Sequence, residues 1–297
     1  MGNPNSTDRL YNIIRFLQNR PSSIKEIQVY LENKDDAYKV NLKTIRRDFE
    51  KIDENYHFKV SYDKKERVYR IDKKNEDDFK ERMLDSLAVM NALKQTETAR
   101  KYIFLEKKQS SGTEYLHDII EAIENKNSLS FTLNSYWNEP SKRKCAPIAI
   151  KEAMKRWYLV AYDIDKKEIR NYGLDRISNF RTLDEKFSPP FFDVEEHYQH
   201  AFGIENYYEP THIILRFDIS QYNYLESLPL HHSQKITETK NGYFLVNLFI
   251  HPTYELKMEI LKFGENCEVI EPLFYRDELK NTINKLKKMY NKIIKYE

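Results

Sequence analysis

Four groups of side chains in the 297-residue sequence have the types and spacing to do chemistry. In NLKTIRRDFEKI, Leu42, Ile45, Phe49 and Ile52 fall on one face of a helix. Lys43, Thr44, Arg46 and Arg47 fall on the other, behind Asn41 as an N-cap. Lys64, Lys65 and Arg67 crowd a turn between two short alternating runs. Further on, Arg143, Arg170 and Arg176 stand among Tyr158 and Tyr172, with SKRKC and KEAMKR supplying more cations. Guanidinium forks bind phosphate bidentately and aromatic faces stack on bases, so this set suits a polyanionic ligand that carries bases. The fourth group is histidine: His197 and His200, three apart, and the adjacent His231 and His232. They have no cysteine or carboxylate at zinc spacing beside them, so no metal is expected.

Composition narrows the classes. There are six glycines, about 2% of the chain against an ordinary share of about 7%. The dinucleotide fingerprint, the phosphate-binding loop and the nucleophile elbow all need clustered glycines, and none is present. No cofactor is therefore expected, and the sequence reads as a protein that binds, not an enzyme. Cys145 and Cys267 are far apart, as two thiols of a reducing compartment would be. The N-terminus has no apolar signal core and no apolar run nears a membrane span, so a cytoplasmic location with no membrane partner is expected. Residues 1–74 hold seventeen basic and twelve acidic side chains, a net +5. The formal charge of +2 thus leaves −3 for the remainder.

The elements that position these groups follow from periodicity. Leu10, Ile13, Ile14 and Leu17 form one helical stripe that ends at Arg20-Pro21. Ser23 and Glu26 make a capping box for a second helix to about Leu31, followed by a polar connection. With the helix after Asn41 and two strands at 58–62 and 68–71, residues 1–74 read as a winged helix-turn-helix. Residues 75–112 read as a helical linker with a Phe79, Met83, Leu87, Met90 stripe, either core or a dimer seam. Residues 113–190 read as one helix and a small, bent antiparallel sheet that includes RWYLVAYD, EIRNYGLDRI and NFRTLDEKF. Residues 191–297 give a Pro-rich connection and then β-α-β-β-α-β, ferredoxin-like, with Asn241-Gly242 at a hairpin turn. Leu279, Ile283, Leu286, Tyr290 and Ile293 stripe a final helix. The fold class is α+β and multidomain.

Two resemblances sharpen this reading. Asn41, Thr44, Ile45, Arg47 and Asp48 are similar to the recognition-helix motif of DeoR-like winged-helix regulators. Trp157-Tyr158-Leu159 with Arg143 and Pro147 before it, and Arg170, Tyr172, Leu174, Asp175, Arg176 and Ile177 after it, resembles the WYL domain. Cys145, Leu133 and Gly173 depart from that pattern. LPLHHSQKI and the KFG…VIEP stretch resemble the WCX extension that follows WYL domains. The resemblance implies an Sm- or SH3-like β-barrel for the WYL part and a sensor of nucleic-acid or nucleotide-like effectors. It implies a transcriptional regulator that binds a double-stranded DNA operator as a homodimer. Asn41, Lys43, Thr44, Arg46, Arg47, Lys64, Lys65 and Arg67 would meet DNA, and Arg143, Tyr158, Arg170, Tyr172 and Arg176 the effector. Two readings stay open beside it: an accessory nucleic-acid-binding factor, for example of a phage-defence system, and a nucleotide-processing enzyme.

Overall fold

The computed structural model describes residues 4–71, 82–89, 112–238 and 241–291. It divides into two units, Met1–Lys107 and Lys108–Glu297. The first contains helices α1 (Pro4–Asn19), α2 (Ile24–Lys34) and α3 (Leu42–Tyr56), then a hairpin of β1 (Val60–Asp63) and β2 (Val68–Ile71). Leu10, Ile13, Ile14 and Leu17 are buried, as their spacing predicts, and pack with Ile27, Leu31, Ile45, Phe49 and Ile52. The capping box is present: Glu26 N donates to Ser23 Oγ and Ser23 N to Glu26 Oε2. Helix α2 runs to Lys34, past the expected end. The polar connection after it holds a one-turn helix, Asp36–Tyr38, that buries Tyr38 in the core. A short helix α4 over 82–89 brings Met83, Leu84 and Leu87 to the same core. Phe79 and Met90, the other half of the expected linker stripe, lie outside the described residues.

One ion pair ties this unit together. Arg9 on α1 donates from Nε and Nη2 to the two oxygens of Asp48 on α3, at 2.7 and 3.0 Å. Both residues are buried.

The second unit starts with α5 (Leu116–Glu124) and a sheet of β3 (Asn127–Leu133), β4 (Ser141–Ala153), β5 (Arg156–Asp163), β6 (Glu168–Gly173) and β7 (Ile177–Lys186). The strands pair antiparallel in the order β6-β5-β4-β3-β7. EIRNYGLDRI is broken at Gly173, where the turn Leu174–Arg176 carries the chain from one edge of the sheet to the other. The edges are joined by that turn and not by a ladder, so the sheet does not close into the expected barrel. α5 covers one face with Ile119 and Ala122 over Leu129, Phe131, Cys145, Leu159 and Tyr172. Trp157 packs partly buried against this core. The other face carries Val160, which packs with Tyr198 and Ala201 on and after α6 (Val194–Tyr198).

The chain then forms β8 (Thr211–Asp218), α7 (Tyr222–Ser227), β9 (Lys235–Glu238), β10 (Tyr243–Ile250), α8 (Tyr254–Lys262), β11 (Cys267–Glu271) and α9 (Leu273–Tyr290). The second sheet is antiparallel, ordered β11-β8-β10-β9, with Ile213, Leu215, Phe217, Val246 and Leu248 in its core. Asn241 and Gly242, both at positive φ, lead into β10. Of the α9 stripe only Leu279 is buried; Ile283, Leu286 and Tyr290 are exposed, and Ile293 lies outside the described residues. The cap residue of α8, Thr253, makes no side-chain cap bond. The preceding loop serves instead: Tyr254 N donates to Tyr207 Oη at 2.8 Å and Glu255 N to Glu205 Oε2 at 3.1 Å. In return Glu255 Oε2 accepts from the amides of Ile204 and Glu205. A Cβ on Gly203 would lie inside contact distance of that carboxylate, so the close approach requires glycine.

Removing one partner of the buried pair strands the other charge, which costs about 3–5 kcal/mol. Asp48→Ala is therefore expected to lower the urea midpoint of the first unit, followed in the full chain by hydrogen exchange of α1 and α3. The double substitution Arg9→Met with Asp48→Leu is expected to recover most of the loss; no recovery would contradict the stranded-charge account.

Candidate functional site

Helix α3 presents its cations outward for a local reason. Asn41 Oδ1 accepts from Thr44 N at 2.9 Å and from Thr44 Oγ1 at 3.1 Å, so both side chains serve the cap. With the cap fixed, the helical period turns Ile45, Asp48, Phe49 and Ile52 inward and Lys43, Arg46 and Arg47 outward. The Arg47-Asp48 pair read from the sequence thus splits: Asp48 faces Arg9 and Arg47 faces solvent. Among the described residues Lys43, Arg46 and Arg47 have no ion-pair partner.

The hairpin repeats the arrangement. Asp63 accepts from the amides of Lys65 and Glu66, and these bonds hold its carboxyl below the usual range. Arg70 pairs with Asp63 at 2.7 Å and Glu66 at 3.1 Å. The acids of the turn are thereby occupied, and Lys64, Lys65 and Arg67 stay exposed and unpaired among the described residues.

In the five-stranded sheet, residues opposite each other share a face and neighbours along a strand do not. Leu159 opposes Tyr172, whereas Tyr158 opposes Gly173 and Lys151. The two predicted tyrosines therefore lie on opposite faces. Tyr172 is 2% exposed, edge-on to Phe131 at 5.1 Å, and its hydroxyl donates to Asp163 Oδ2 at 2.5 Å. Its ring is core and offers a ligand no stacking face, contrary to the role read from the sequence. Asp163 is fully buried. Burial alone would raise its pKa, but the Tyr172 hydroxyl, the Lys166 amide and the Arg143 charge hold it below the usual range. Burial, and then Asp163, pushes the Tyr172 hydroxyl up. Burial pushes the Cys145 thiol up to about 12, with Asp163 adding to it, so this thiol is not a nucleophile at neutral pH. Arg143 lies in register with Phe131, and its buried Nε has no hydrogen-bond partner among the described residues. Arg170 is exposed and pairs with Glu168.

The other predicted pair, Tyr158 and Arg176, belongs to a second cluster. The Arg176 guanidinium stands 5.1 Å from the Tyr136 ring centroid. Arg156 Nη1 donates to Asp175 Oδ2 at 2.5 Å and to Tyr136 Oη at 3.2 Å. Tyr158 is half-buried; burial raises its pKa, and Glu255, Arg156, Asp175 and Arg176 act on it at closer or longer range. A Cβ on Gly173 would lie 2.7 Å from Asp175 Oδ1 and 3.1 Å from Arg176 Nε. Its φ of −62° suits any residue, so space explains this glycine, not backbone freedom. Beside Tyr136, Trp137 is 91% exposed on a turn in which Ser135 Oγ accepts from the amides of Trp137 and Asn138. Tyr136 and Trp137 were not among the residues singled out from the sequence, and Arg156 entered only within KEAMKR as one cation of several. Two adjacent aromatics in a polar loop, and a cation directly before the WYL tripeptide, were the signals that could have found them. The five predicted effector residues therefore form two groups, Arg143 with Arg170 and Tyr172 around Asp163, and Tyr158 with Arg176 on the other face.

Among the described residues no three His, Cys, Asp or Glu side chains stand where they could hold a metal ion. No helix among them is long and apolar enough to cross a membrane.

Comparison with known proteins agrees with part of this. Residues 114–182 match the WYL domain and residues 209–287 the WCX domain. No curated protein matches the sequence. Solved structures similar to the chain include these two. One is Proteasome accessory factor B/C (PafBC) of Arthrobacter aurescens, 16% identical with a TM-score of 0.44, over 99% of this chain and 48% of that one. The other is a CRISPR Cas-related protein, 15% identical with a TM-score of 0.40, over 97% of this chain and 85% of that one. The chain thus spans about half the length of the PafBC structure.

Removing the Tyr172 hydroxyl leaves the buried Asp163 short of a donor, at a cost of about 1–3 kcal/mol. A carboxyl with a depressed native pKa stabilises above its ordinary value, and that contribution is lost as pH falls through the native one. Tyr172→Phe raises the native value and is expected to move the acid-unfolding midpoint of the sheet to higher pH, read by near-UV dichroism. An unchanged midpoint would mean that Arg143 and the Lys166 amide suffice.

Proposed function

We propose that this chain is a transcriptional regulator that binds a double-stranded DNA operator as a homodimer and whose WYL domain senses a nucleic-acid or nucleotide-like effector. The observation that carries the reading is the outward row Lys43, Arg46 and Arg47 on α3, free of ion pairs among the described residues while Asp48 beside it is turned inward. We read the first unit as a winged helix-turn-helix, with α3 entering the major groove and Lys64, Lys65 and Arg67 touching the adjacent backbone. Asn41 and Thr44 then act through the cap that sets the helix, though the exposed Asn41 amide also lies at the reading end. One such helix reads few base pairs, and a symmetric pair gives a palindromic site of useful length. We read the WYL sheet as an open relative of the SH3-like barrel and the last part as ferredoxin-like, its strand order being that of a β-α-β-β-α-β unit.

For the effector, the Tyr136, Trp137, Arg156 and Arg176 group supports a ligand with both phosphate and base, since it offers two guanidinium forks beside exposed rings. Arg143 and Arg170 supply a second cationic edge on the other side of the sheet. The reading places the protein in the cytoplasm, without cofactor or catalytic residues. An accessory nucleic-acid-binding role rests on the same cations and differs only in lacking a promoter site.

Arg46→Ala with Arg47→Ala is expected to abolish the mobility shift of operator DNA recovered by genome-wide mapping, at about 1–3 kcal/mol per base contact, with α-helix content unchanged. Lys64→Ala with Lys65→Ala is expected to weaken all DNA alike and lower the salt slope by about one per phosphate contact. Wild-type affinity in the first variant would remove α3 from the groove. Turnover of labelled nucleic acid with Mg²⁺ would replace the regulatory reading with an enzymatic one, and mapped DNA without sites upstream of genes would favour the accessory role. In a separate assay, Arg156→Ala with Arg176→Ala is expected to abolish binding of a fluorescent single-stranded oligonucleotide to the full chain without changing operator binding in its absence.

A further inference from the structure

Six of the eight histidines gather where α6 and its following loop meet β10 and the segment before β9. The His200 ring stands edge-on to Phe249 at 4.7 Å and 6.3 Å from His251. His212 approaches the same Phe249 at 4.8 Å, and the rings of His231 and His232 are 3.9 Å apart. The backbone joins the pieces, with His251 N donating to His200 O at 2.9 Å.

Three of the imidazoles have neutral hydrogen-bond partners. His251 Nδ1 meets the Tyr208 carbonyl, and His197 Nε2 meets the Asn206 amide at 2.5 Å. His231 Nδ1 accepts from Ser233 N at 3.2 Å. An amide only donates, so that nitrogen carries no proton and the His231 ring is neutral in this arrangement. His200 Nδ1 is buried with no partner among the described residues, so a proton placed there finds no acceptor. The charged and titratable groups facing these rings are other imidazoles and one phenol: His251 and His232 face His200, His232, His200 and His251 face His231, and His251 and the Tyr198 ring face His197. The acids on the packed elements do not reach them. Glu205 is taken by Tyr207 Oη and Glu255 N, and Glu255 by the amides of Ile204 and Glu205. Glu195 and Glu196 on α6, Glu209 in the loop and Lys235 on β9 form no bond to a ring among the described residues.

We infer that this histidine cluster is an acid-released clasp: neutral rings hold the turn after α6 against the end of β10, and protonation opens the joint. The effect extends beyond the clasp because α6 also sits on the five-stranded sheet. Tyr198 Oη donates to Asn171 Oδ1 at 2.6 Å, and Lys151 Nζ stands 5.0 Å from the Tyr198 ring centroid, on the strand beside Tyr158. The direction follows from the cost of charging the rings. Burial and then His232 push His231 down to about 4, and burial and then His251 lower His200. The open state binds more protons, so the clasp is at full strength above the ordinary histidine value near 6.5 and weakens as pH falls from there toward about 4.

Hydrogen exchange of the full chain, corrected for intrinsic rates, tests this at about pH 7.5 and about pH 5.5, either side of the ordinary histidine value. Amides of residues 197–204 and 249–253 are expected to lose protection at least roughly tenfold more than those of β3 and β5, one pKa unit being a factor of ten. His200→Gln with His231→Asn is expected to abolish this selective acid response. Should that variant misfold, His232→Gln removes one exposed facing imidazole and is expected to shift the loss to lower pH. Equal protection at both pH values, or an acid response that survives substitution, overturns the inference.

Discussion

The five-stranded sheet is covered on both faces, and this constraint arranges the second unit. α5 covers one face, and α6 with the residues after it covers the other. A sheet buried twice over has no broad surface left for a ligand, so its polar groups collect at rims and corners. Arg143 and Arg170 gather round Asp163 at one rim, and Arg156 and Arg176 round Asp175 and Tyr136 at another. The strand period of two decides which rim each residue joins. It separates Tyr158 from Tyr172 although both sit within the same family motif.

Carboxylates play a consistent part in both units. Asp48 turns inward to Arg9, Asp63 and Glu66 are held by Arg70, and Asp163 is held by Tyr172. Each acid is satisfied locally, by a buried cation, an exposed one or a hydroxyl. The cations that remain outward on α3 and the hairpin turn then form a positive surface although acids are almost as numerous in the chain. Net charge over a segment does not report this, because it weighs buried and exposed groups alike.

The helices of the first unit were legible because period, cap and breaker agreed: the Leu10–Leu17 stripe, the Ser23 and Glu26 box, and Asn41 all stand where the sequence placed them. Tyr38 was hidden in a polar run, since a single aromatic carries no period. β4, the longest strand among the described residues, was read as cations and as the Arg143 and Pro147 part of the WYL pattern, not as a strand. Its Lys and Arg interrupt the apolar alternation, and Pro147 falls at a bulge where the ladder needs no donor, so neither its composition nor its proline looked like a strand. The barrel was expected from family likeness, whereas closure depends on long-range pairing that no local pattern encodes. Tyr172 resembled a ligand residue because its phenol looks the same in sequence whether it meets solvent or Asp163. The histidines were too scattered in sequence to suggest a cluster, and only the packing of the turn after α6 against the end of β10 gathers them.

The loop that caps α8 has a consequence for how this protein can vary over time. Glu205 and Tyr207 must arrive opposite the first amides of α8 while Gly203 passes the Glu255 carboxylate. That fixes the number of residues between α6 and β8 as firmly as any side chain in the core. The tip between β4 and β5 at Met154 and Lys155, by contrast, is exposed to solvent. In relatives of this chain, length should drift at such hairpin tips while the connection between the two sheets keeps its count, even where most of its side chains have changed.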